Sequence, residues 1–93
     1  MMIGSLVMQI HIHDAGSLKE KRMVIRSIKE KLRSKFNVSV SEVDNQDLWQ
    51  LATVAVVTVA PDKNQVESIL QNVVNFIYSN FPELHIDVSK EIF

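Results

Sequence analysis

The sequence predicts an α+β fold in which four strands and two helices follow one another as β-α-β-β-α-β. Three observations support this order. Two long segments repeat apolar residues at helical spacing. Each of them begins with a capping side chain that is followed by Glu or Gln three positions later. The other segments alternate polar and apolar residues or are rich in valine and threonine, which is typical of strands.

The first strand is predicted over residues 3–13, where polar and apolar residues alternate. One face carries Leu6, Met8, Ile10 and Ile12, and the other carries Val7, Gln9, His11 and His13. We expect the first of these faces to lie in the core.

The first helix is predicted over residues 17–36. Ser17 provides the N-cap, Glu20 can reach back to the Ser17 amide, and Gly16 supplies the turn out of the strand. The apolar face of this helix consists of Leu18, Ile25, Ile28, Leu32 and Phe36, with Val24 widening it.

This helix also concentrates positive charge. It holds eight of the ten Lys and Arg residues against Glu20 and Glu30, so its charge is +6, and a net charge of −1 leaves −7 for the rest of the chain. At about 100° per residue, five basic residues form a stripe beside the apolar face. These residues, called the basic stripe below, are Lys19, Arg22, Arg26, Lys29 and Arg33. We place Lys21, Lys31 and Lys35 toward the opposite flank.

Two strands are predicted in the middle of the chain, over residues 37–44 and 49–60, with a polar turn at residues 44–48 between them. The second of these strands is apolar on both faces. We expect it inside the sheet, because an exposed edge of this composition would promote aggregation. The open face receives either the alternate set that begins at Trp49 or the set Gln50, Ala52, Val54, Val56, Thr58 and Ala60. We prefer the second of these, because Trp49, Leu51, Val57 and Val59 are larger and fill the core better.

The second helix is predicted after Pro61, with Asp62 as its cap and Gln65 closing a second capping box. Its apolar face consists of Val66, Ile69, Leu70, Val73, Phe76 and Ile77. The segment Asn80-Phe81-Pro82 ends this helix. A last strand follows, in which Leu84, Ile86 and Val88 alternate with His85, Asp87 and Ser89.

With right-handed crossovers, this element order gives the ferredoxin-like, split βαβ arrangement. We therefore expect one domain over residues 1–93, with a four-stranded antiparallel sheet in the order 4-1-3-2 and both helices on one face. The name of this fold implies no iron–sulfur cluster, because the chain has no cysteine to ligate one.

Composition argues against several classes of function. The absence of cysteine excludes disulfides and thiolate chemistry, and Gly4 and Gly16, the only glycines, cannot form a glycine-rich phosphate loop. The acidic residues of the central turn are Glu42, Asp44 and Asp47, and nothing in the sequence supplies a base or a pocket opposite them. We therefore predict no catalytic residues, no cofactor and no enzyme activity. The N-terminal segment lacks the features of a signal peptide, and no apolar run has the roughly 20 residues of a membrane span. We expect a soluble cytoplasmic protein.

The three histidines share the open face of the predicted sheet. Pairing of the first and last strands could bring His85 near His11 or His13, with Asp87 close by, and such a set could hold a divalent metal ion. Because alternate residues of one strand converge poorly, we expect surface histidines and no metal site.

Two binding functions are compatible with these patterns. The basic stripe can dock the phosphates of structured RNA or of the ribosome, without sequence readout. We expect no base stacking, because Phe36, Trp49 and Phe76 are interpreted as structural. Alternatively, the stripe is a solvated face over the core edge, or acidic residues 42–47 neutralise part of it, and the open sheet face forms a homodimer or binds another protein.

Several segments of the sequence resemble one family. Residues 17–22 (SLKEKR), 37–40 (NVSV) and 42–50 (EVDNQDLWQ) are similar to the YlxP-like family of small bacterial proteins of unknown function, and the likeness runs along nearly the whole chain. The resemblance implies a ferredoxin-like α/β fold. The gene neighbourhood of the family, among translation and ribosome-maturation factors, also implies a role near RNA or the ribosome. The family provides no active-site residues to carry over.

Overall fold

The computed structural model describes all residues 1–93 and contains six elements in the predicted order. These elements are β1 (Met2–His11), α1 (Leu18–Lys35), β2 (Ser39–Asp44), β3 (Leu51–Ala60), α2 (Lys63–Asn80) and β4 (His85–Ile92). The ends lie close to those predicted, except that β4 continues to Ile92. Neither helix combines the length and the apolar character that a membrane span requires.

The four strands form one antiparallel sheet in the order β2-β3-β1-β4, which is the predicted order read from the opposite edge. The two central strands pair along their whole length, from Met2 opposite Ala60 to His11 opposite Leu51. The other side of β1 pairs with β4, so that His11 also lies opposite His85. The strand order is therefore confirmed, and it places the apolar strand β3 in the interior of the sheet as expected.

One hydrophobic core contains residues of both helices and of the sheet. Its fully buried members are Leu6, Met8 and Ile10 of β1, Ala52, Val54 and Val56 of β3, Ile25, Ile28 and Leu32 of α1, and Val66, Leu70, Val73 and Ile77 of α2. Helix α2 packs closely against β1 at Gly4. A Cβ at this position would overlap Val66 Cγ1 and lie 2.9 Å from Leu70 Cδ1. The backbone of β1 therefore needs glycine there to let the helix pack.

The prediction for the two faces of β3 is wrong. The buried residues include Ala52, Val54, Val56 and Thr58, which were expected on the open face. Val57 and Val59, expected in the core, are 41% and 47% exposed. The register explains this, because Val54 lies opposite the buried Met8, and cross-strand partners share a face. Since β1 already brings large side chains to this layer, close packing is reached with smaller residues from β3.

Both helices begin with a side-chain cap, although neither forms the full capping box that was predicted. The Ser17 hydroxyl accepts from the Glu20 amide at 3.1 Å, but the Glu20 carboxylate accepts from the Gly16 amide at 2.7 Å instead of that of Ser17. At α2, Asp62 accepts from the Gln65 amide at 2.9 Å, and the Gln65 side chain donates to the same carboxylate at 3.0 Å. Each carboxylate also lies favourably at the positive end of a helix dipole.

Candidate nucleic-acid interface

Four residues of the basic stripe line one groove on the surface of α1. Lys19, Arg22, Arg26 and Lys29 border an open groove of about 590 Å³, and we call these residues the groove cations. Three of them are exposed and Lys29 is partly exposed. The helical spacing predicted that these residues share a side of α1, and the structure brings them together there.

The groove cations have no acidic partner in the chain. No carboxylate oxygen lies within 4.0 Å of Lys19, Arg22, Arg26 or Lys29. None of the four donates a hydrogen bond to the protein either, since the bonds made by basic side chains come from Lys21 and Arg33. The four basic side chains therefore keep unused donors, and the one carboxylate that also lines the groove, that of Glu42, pairs with Lys21 instead.

Arg33, the fifth residue of the stripe, is set apart from the groove cations. It does not line the groove, and its guanidinium donates to the carbonyl oxygen of Val40 at 2.6 Å. Val40 belongs to β2, the strand at one edge of the sheet. Arg33 therefore ties the C-terminal half of α1 to an edge strand, and this use of its donors separates it from the other four.

Two lysines on the flank of α1 lie over aromatic rings. The Lys31 ammonium is 5.0 Å from the centroid of the Phe81 ring, and the Lys35 ammonium is 5.0 Å from that of Phe76. Both distances are within the range of about 6 Å for a cation–π contact. Phe36 packs edge-on against Phe76 at 5.7 Å, so the rings serve packing here, as predicted for Phe36 and Phe76.

The placement of Lys21 toward the opposite flank, with Lys31 and Lys35, is wrong. Its side chain is fully buried, and Nζ lies 2.8 Å from Glu42 Oε2 and 2.6 Å from the carbonyl oxygen of Asn45. The Glu42 oxygen has no aligned hydrogen-bond donor, so the contact with Lys21 is an ion pair held by charge and proximity. The sequence does indicate that Lys21 is buried. At 100° per residue, Lys21 lies within about 20° of both Ile28 and Leu32 around the helix axis, which places it on the apolar face.

The connection between β2 and β3 is shaped to receive Lys21. The register of β2 on β3 shifts between Glu42 and Asp44, and Asn45 takes a left-handed conformation with φ of 59°, which asparagine tolerates. The Asp44 carboxylate accepts from the Asn45 amide at 2.8 Å, and the Asn45 side chain donates to Thr53 at 2.8 Å. Glu42 thus neutralises an internal lysine, and no residue of this acidic segment pairs with the groove cations.

Trp49 does not lie in the core, so its interpretation as a core anchor is wrong. It precedes β3, which begins at Leu51, and is 52% exposed beside Leu48, which is 47% exposed. Both residues border an open depression of about 530 Å³ on the side of His11 and His13. The polar segment at residues 44–48 could have indicated this exposure, because Trp49 directly follows it and so belongs to the connection before β3.

The histidines converge more than we expected from the sequence. His11 Nε2 and His85 Nε2 each lie 3.4 Å from a different oxygen of the Asp87 carboxylate, and the two rings are 5.2 Å apart. His13 stacks outside this group, with its ring 6.1 Å from that of His11. The expectation of poor convergence concerned alternate residues of one strand, whereas His11 and His85 meet through the pairing of the first and last strands, which was predicted as a way to bring His85 near His11 with Asp87 close by.

The fold and the groove define a ferredoxin-like α+β protein whose first helix presents unpaired positive charge. The chain belongs to the family described as Protein of unknown function (DUF503), whose model matches residues 3–90. It is 43% identical over 89 residues to the Uncharacterized protein YlxP of Bacillus subtilis (strain 168), with 96% of each chain covered. The resemblance to the YlxP-like family is thus confirmed.

Solved structures share the ferredoxin-like fold at low sequence identity. A de novo designed protein with ferredoxin fold, LFR1 1, aligns with a TM-score of 0.59 and 10% identity, covering 98% of this chain and 86% of its own. A C-terminal segment of the alpha subunit of aIF2 from Pyrococcus abyssi aligns with a TM-score of 0.59 and 11% identity, and the alignment covers 96% of this chain and 49% of that segment. A dimeric ferredoxin-like protein from an uncultured marine organism aligns with a TM-score of 0.51 and 8% identity, and the alignment covers 100% of this chain and 96% of that protein. These likenesses establish the fold alone.

Proposed function

We propose that this protein is a noncatalytic, cytoplasmic binding module that docks the phosphate backbone of structured RNA, such as ribosomal RNA, in the groove on α1. The observation that supports this function most directly is the set of groove cations. Lys19, Arg22, Arg26 and Lys29 have no carboxylate within 4.0 Å, although the chain contains eleven acidic residues. Where a lysine of α1 is buried, at position 21, the chain supplies a carboxylate for it.

The dimensions of the groove suit a polyanion. From Lys19 to Lys29 the helix advances about 15 Å at 1.5 Å per residue. Double-stranded DNA carries one negative charge per about 1.7 Å of its axis, and a duplex of RNA has a comparable density. A duplex laid along α1 therefore presents more than enough phosphates for four cations, whereas a single small anion would engage only part of the cluster.

The surroundings of the groove favour contacts to the backbone over contacts to bases. Base readout in RNA-binding sheets uses exposed aromatic rings as stacking platforms, but the groove is lined by no aromatic residue. Trp49, which is 52% exposed, lines the separate depression beside His11 and His13. We therefore assign to the groove a preference for the shape and charge of folded RNA and not for sequence.

Binding to a labelled RNA hairpin, followed by fluorescence anisotropy, tests this function. Because four phosphates are neutralised, raising monovalent salt from 50 to 200 mM is expected to weaken binding about 100-fold. Two unrelated hairpin sequences should bind within a few-fold of each other. Failure to bind either hairpin at 50 mM salt, or binding that is insensitive to salt, would rule out the proposed function.

A second candidate function is self-association through the open face of the sheet. Three valines are exposed on this face, and they are Val7, Val57 and Val59, with exposed fractions of 38%, 41% and 47%. They come from the two central strands, β1 and β3, and Val57 lies opposite Ser5. Contiguous apolar residues on an otherwise polar face are typical of an interaction surface. A symmetric dimer formed there would leave the groove on the other side free.

Sedimentation velocity at micromolar concentration tests the dimer. The wild-type chain should sediment as a dimer, and Val57→Lys should sediment as a monomer because it places a charge in the centre of the interface. Met23→Lys is the matched control, since Met23 is 64% exposed on α1 and should leave the dimer intact. A wild-type chain that is monomeric at these concentrations would remove this candidate.

A further inference from the structure

We propose that His11, His85 and Asp87 form a binding site for a divalent transition-metal ion, with Zn²⁺ as the ion that suits the donors best. The site lies on the open face of the sheet, away from the groove on α1, and does not depend on RNA binding. Its three side chains place one donor atom each within 4.8 Å of one another.

The pairing of β1 with β4 builds this site. His11 and His85 are direct cross-strand partners, and Asp87 lies two residues further along β4, opposite Gln9. Side chains of cross-strand partners on one face have Cβ atoms about 4.5–5.5 Å apart, and diagonal neighbours are also within reach of long side chains. The donors therefore come from two strands with a fixed register, which holds them closer together than alternate positions on one strand can.

Two of the distances between donor atoms are close to the edges of a tetrahedral metal site, and one donor atom from each of the three residues lies within 4.8 Å of the others. Each histidine Nε2 lies 3.4 Å from an oxygen of Asp87. With metal–ligand bonds of about 2.0–2.1 Å, the edges of a zinc tetrahedron are about 3.3–3.4 Å. The two nitrogens contact different oxygens of the carboxylate, so the side chains must rotate to bring one carboxylate oxygen and both nitrogens around one ion, starting from donor atoms within 4.8 Å of one another.

The donor atoms are not committed to other partners. The distance of 3.4 Å from each nitrogen to the carboxylate exceeds the roughly 2.7–2.9 Å of a charge-assisted hydrogen bond. No lysine or arginine lies within 4.0 Å of Asp87 to compete for its charge. Two imidazole nitrogens and a carboxylate form a donor set that zinc favours over magnesium or calcium, which prefer oxygen alone.

The site is accessible from solvent and leaves a coordination position open. The side chains of His85 and Asp87 are 64% and 65% exposed, so water can complete a tetrahedron that has three protein ligands. His11 also borders the depression that contains Trp49, which gives a small ligand room beside the ion. His13 stacks on His11 at 6.1 Å without facing Asp87, so it lies outside the donor set.

Zinc titration of the full chain, after removal of bound metals with a chelator, tests the site by isothermal titration calorimetry. We expect one Zn²⁺ per chain. His85→Ala and Asp87→Asn should each weaken binding at least tenfold, because each removes one of three ligands. His13→Ala is the matched control and should bind as the wild type does. All three positions are exposed, and circular dichroism verifies that each variant is folded.

Cobalt substitution gives an independent readout of the geometry. Co²⁺ in the wild type and in His13→Ala should show the strong visible absorption of a four-coordinate ion, and the two ligand variants should not. The proposal is overturned if His85→Ala binds Zn²⁺ as tightly as the wild type. It is also overturned if His13→Ala weakens binding as much as His85→Ala does, since binding would then be diffuse among surface histidines.

Discussion

Replacement of Lys21 by alanine is expected to lower the free energy of unfolding by about 3–5 kcal/mol, the usual cost of removing one partner of a buried ion pair. Glu42 would keep its charge with a side chain only 15% exposed, and the carbonyl oxygen of Asn45 would lose the donor that lies 2.6 Å away. The long aliphatic part of Lys21 is also fully buried, so its removal leaves a cavity. Since domains of this size are stable by only about 5–15 kcal/mol, this change removes a large part of the total.

Urea unfolding, followed by circular dichroism, measures this effect, and a double substitution separates charge from packing. Lys21→Met with Glu42→Leu removes both charges and keeps the volume, so we expect a stability within about 1 kcal/mol of the wild type or above it. Arg22→Ala, a change at an exposed position of the same helix, should cost no more than about 0.5 kcal/mol. A loss below 1 kcal/mol in Lys21→Ala would show that the ion pair does not hold the β2–β3 connection to α1.

The second large effect concerns RNA affinity. Replacement of the four groove cations by glutamine, in Lys19→Gln, Arg22→Gln, Arg26→Gln and Lys29→Gln together, should weaken binding of an RNA hairpin about 100- to 1000-fold at low salt. Each basic side chain near a polyanionic surface contributes roughly 1 kcal/mol, and 1.4 kcal/mol corresponds to a factor of ten. Glutamine keeps a long side chain and a good helix propensity, so α1 should remain folded.

The chain offers a control with the same change in net charge. Lys31, Lys35, Lys63 and Lys90 are all exposed and lie outside the groove. Their replacement by glutamine takes the net charge from −1 to −5, as four substitutions in the groove do. We expect the control to bind RNA within about fivefold of the wild type. Arg33 is left unchanged in both variants, because its bond to Val40 makes any effect of its loss structural as well as electrostatic.

The fold could be predicted because each of its determinants is local. The cap at Ser17, the stop at Pro61 and the periodicity of the helices and strands can all be read within short windows of sequence. The order of six elements then leaves few topologies, since crossovers are right-handed. The interior position of β3 followed from its composition, because a long apolar strand is stable only between two neighbours.

The faces of β3 and the histidine cluster could not be predicted because they depend on register. Val57 is larger than Ala52, but the face on which it lies is set by its pairing with Ser5 of β1. Because β3 is apolar on both faces, its own sequence does not show which residues of β1 lie opposite it. In the same way, His11 and His85 meet because β1 and β4 align them. A one-residue shift in either pairing would have moved these side chains to the other face.

The sequence predicted which side of α1 carries the basic stripe, but it did not predict the partners of individual basic side chains on this helix. Helical spacing placed the groove cations together, but it does not show that Arg33 donates to Val40 or that Lys31 lies over Phe81. Lys21 was different, because the same spacing assigns it to the buried face. A lysine at the centre of an apolar face indicates a buried partner, and Glu42 is that partner.

The salt dependence of RNA binding tests the central role of the groove cations most directly. The slope of log Kobs against log salt concentration counts the phosphates that are neutralised, independently of the absolute affinity. For the wild type and for the control at Lys31, Lys35, Lys63 and Lys90, we predict a slope of about −3 to −4. For the variant that lacks the four groove cations, the slope should approach zero. An unchanged slope in that variant would contradict the assignment of RNA binding to this groove.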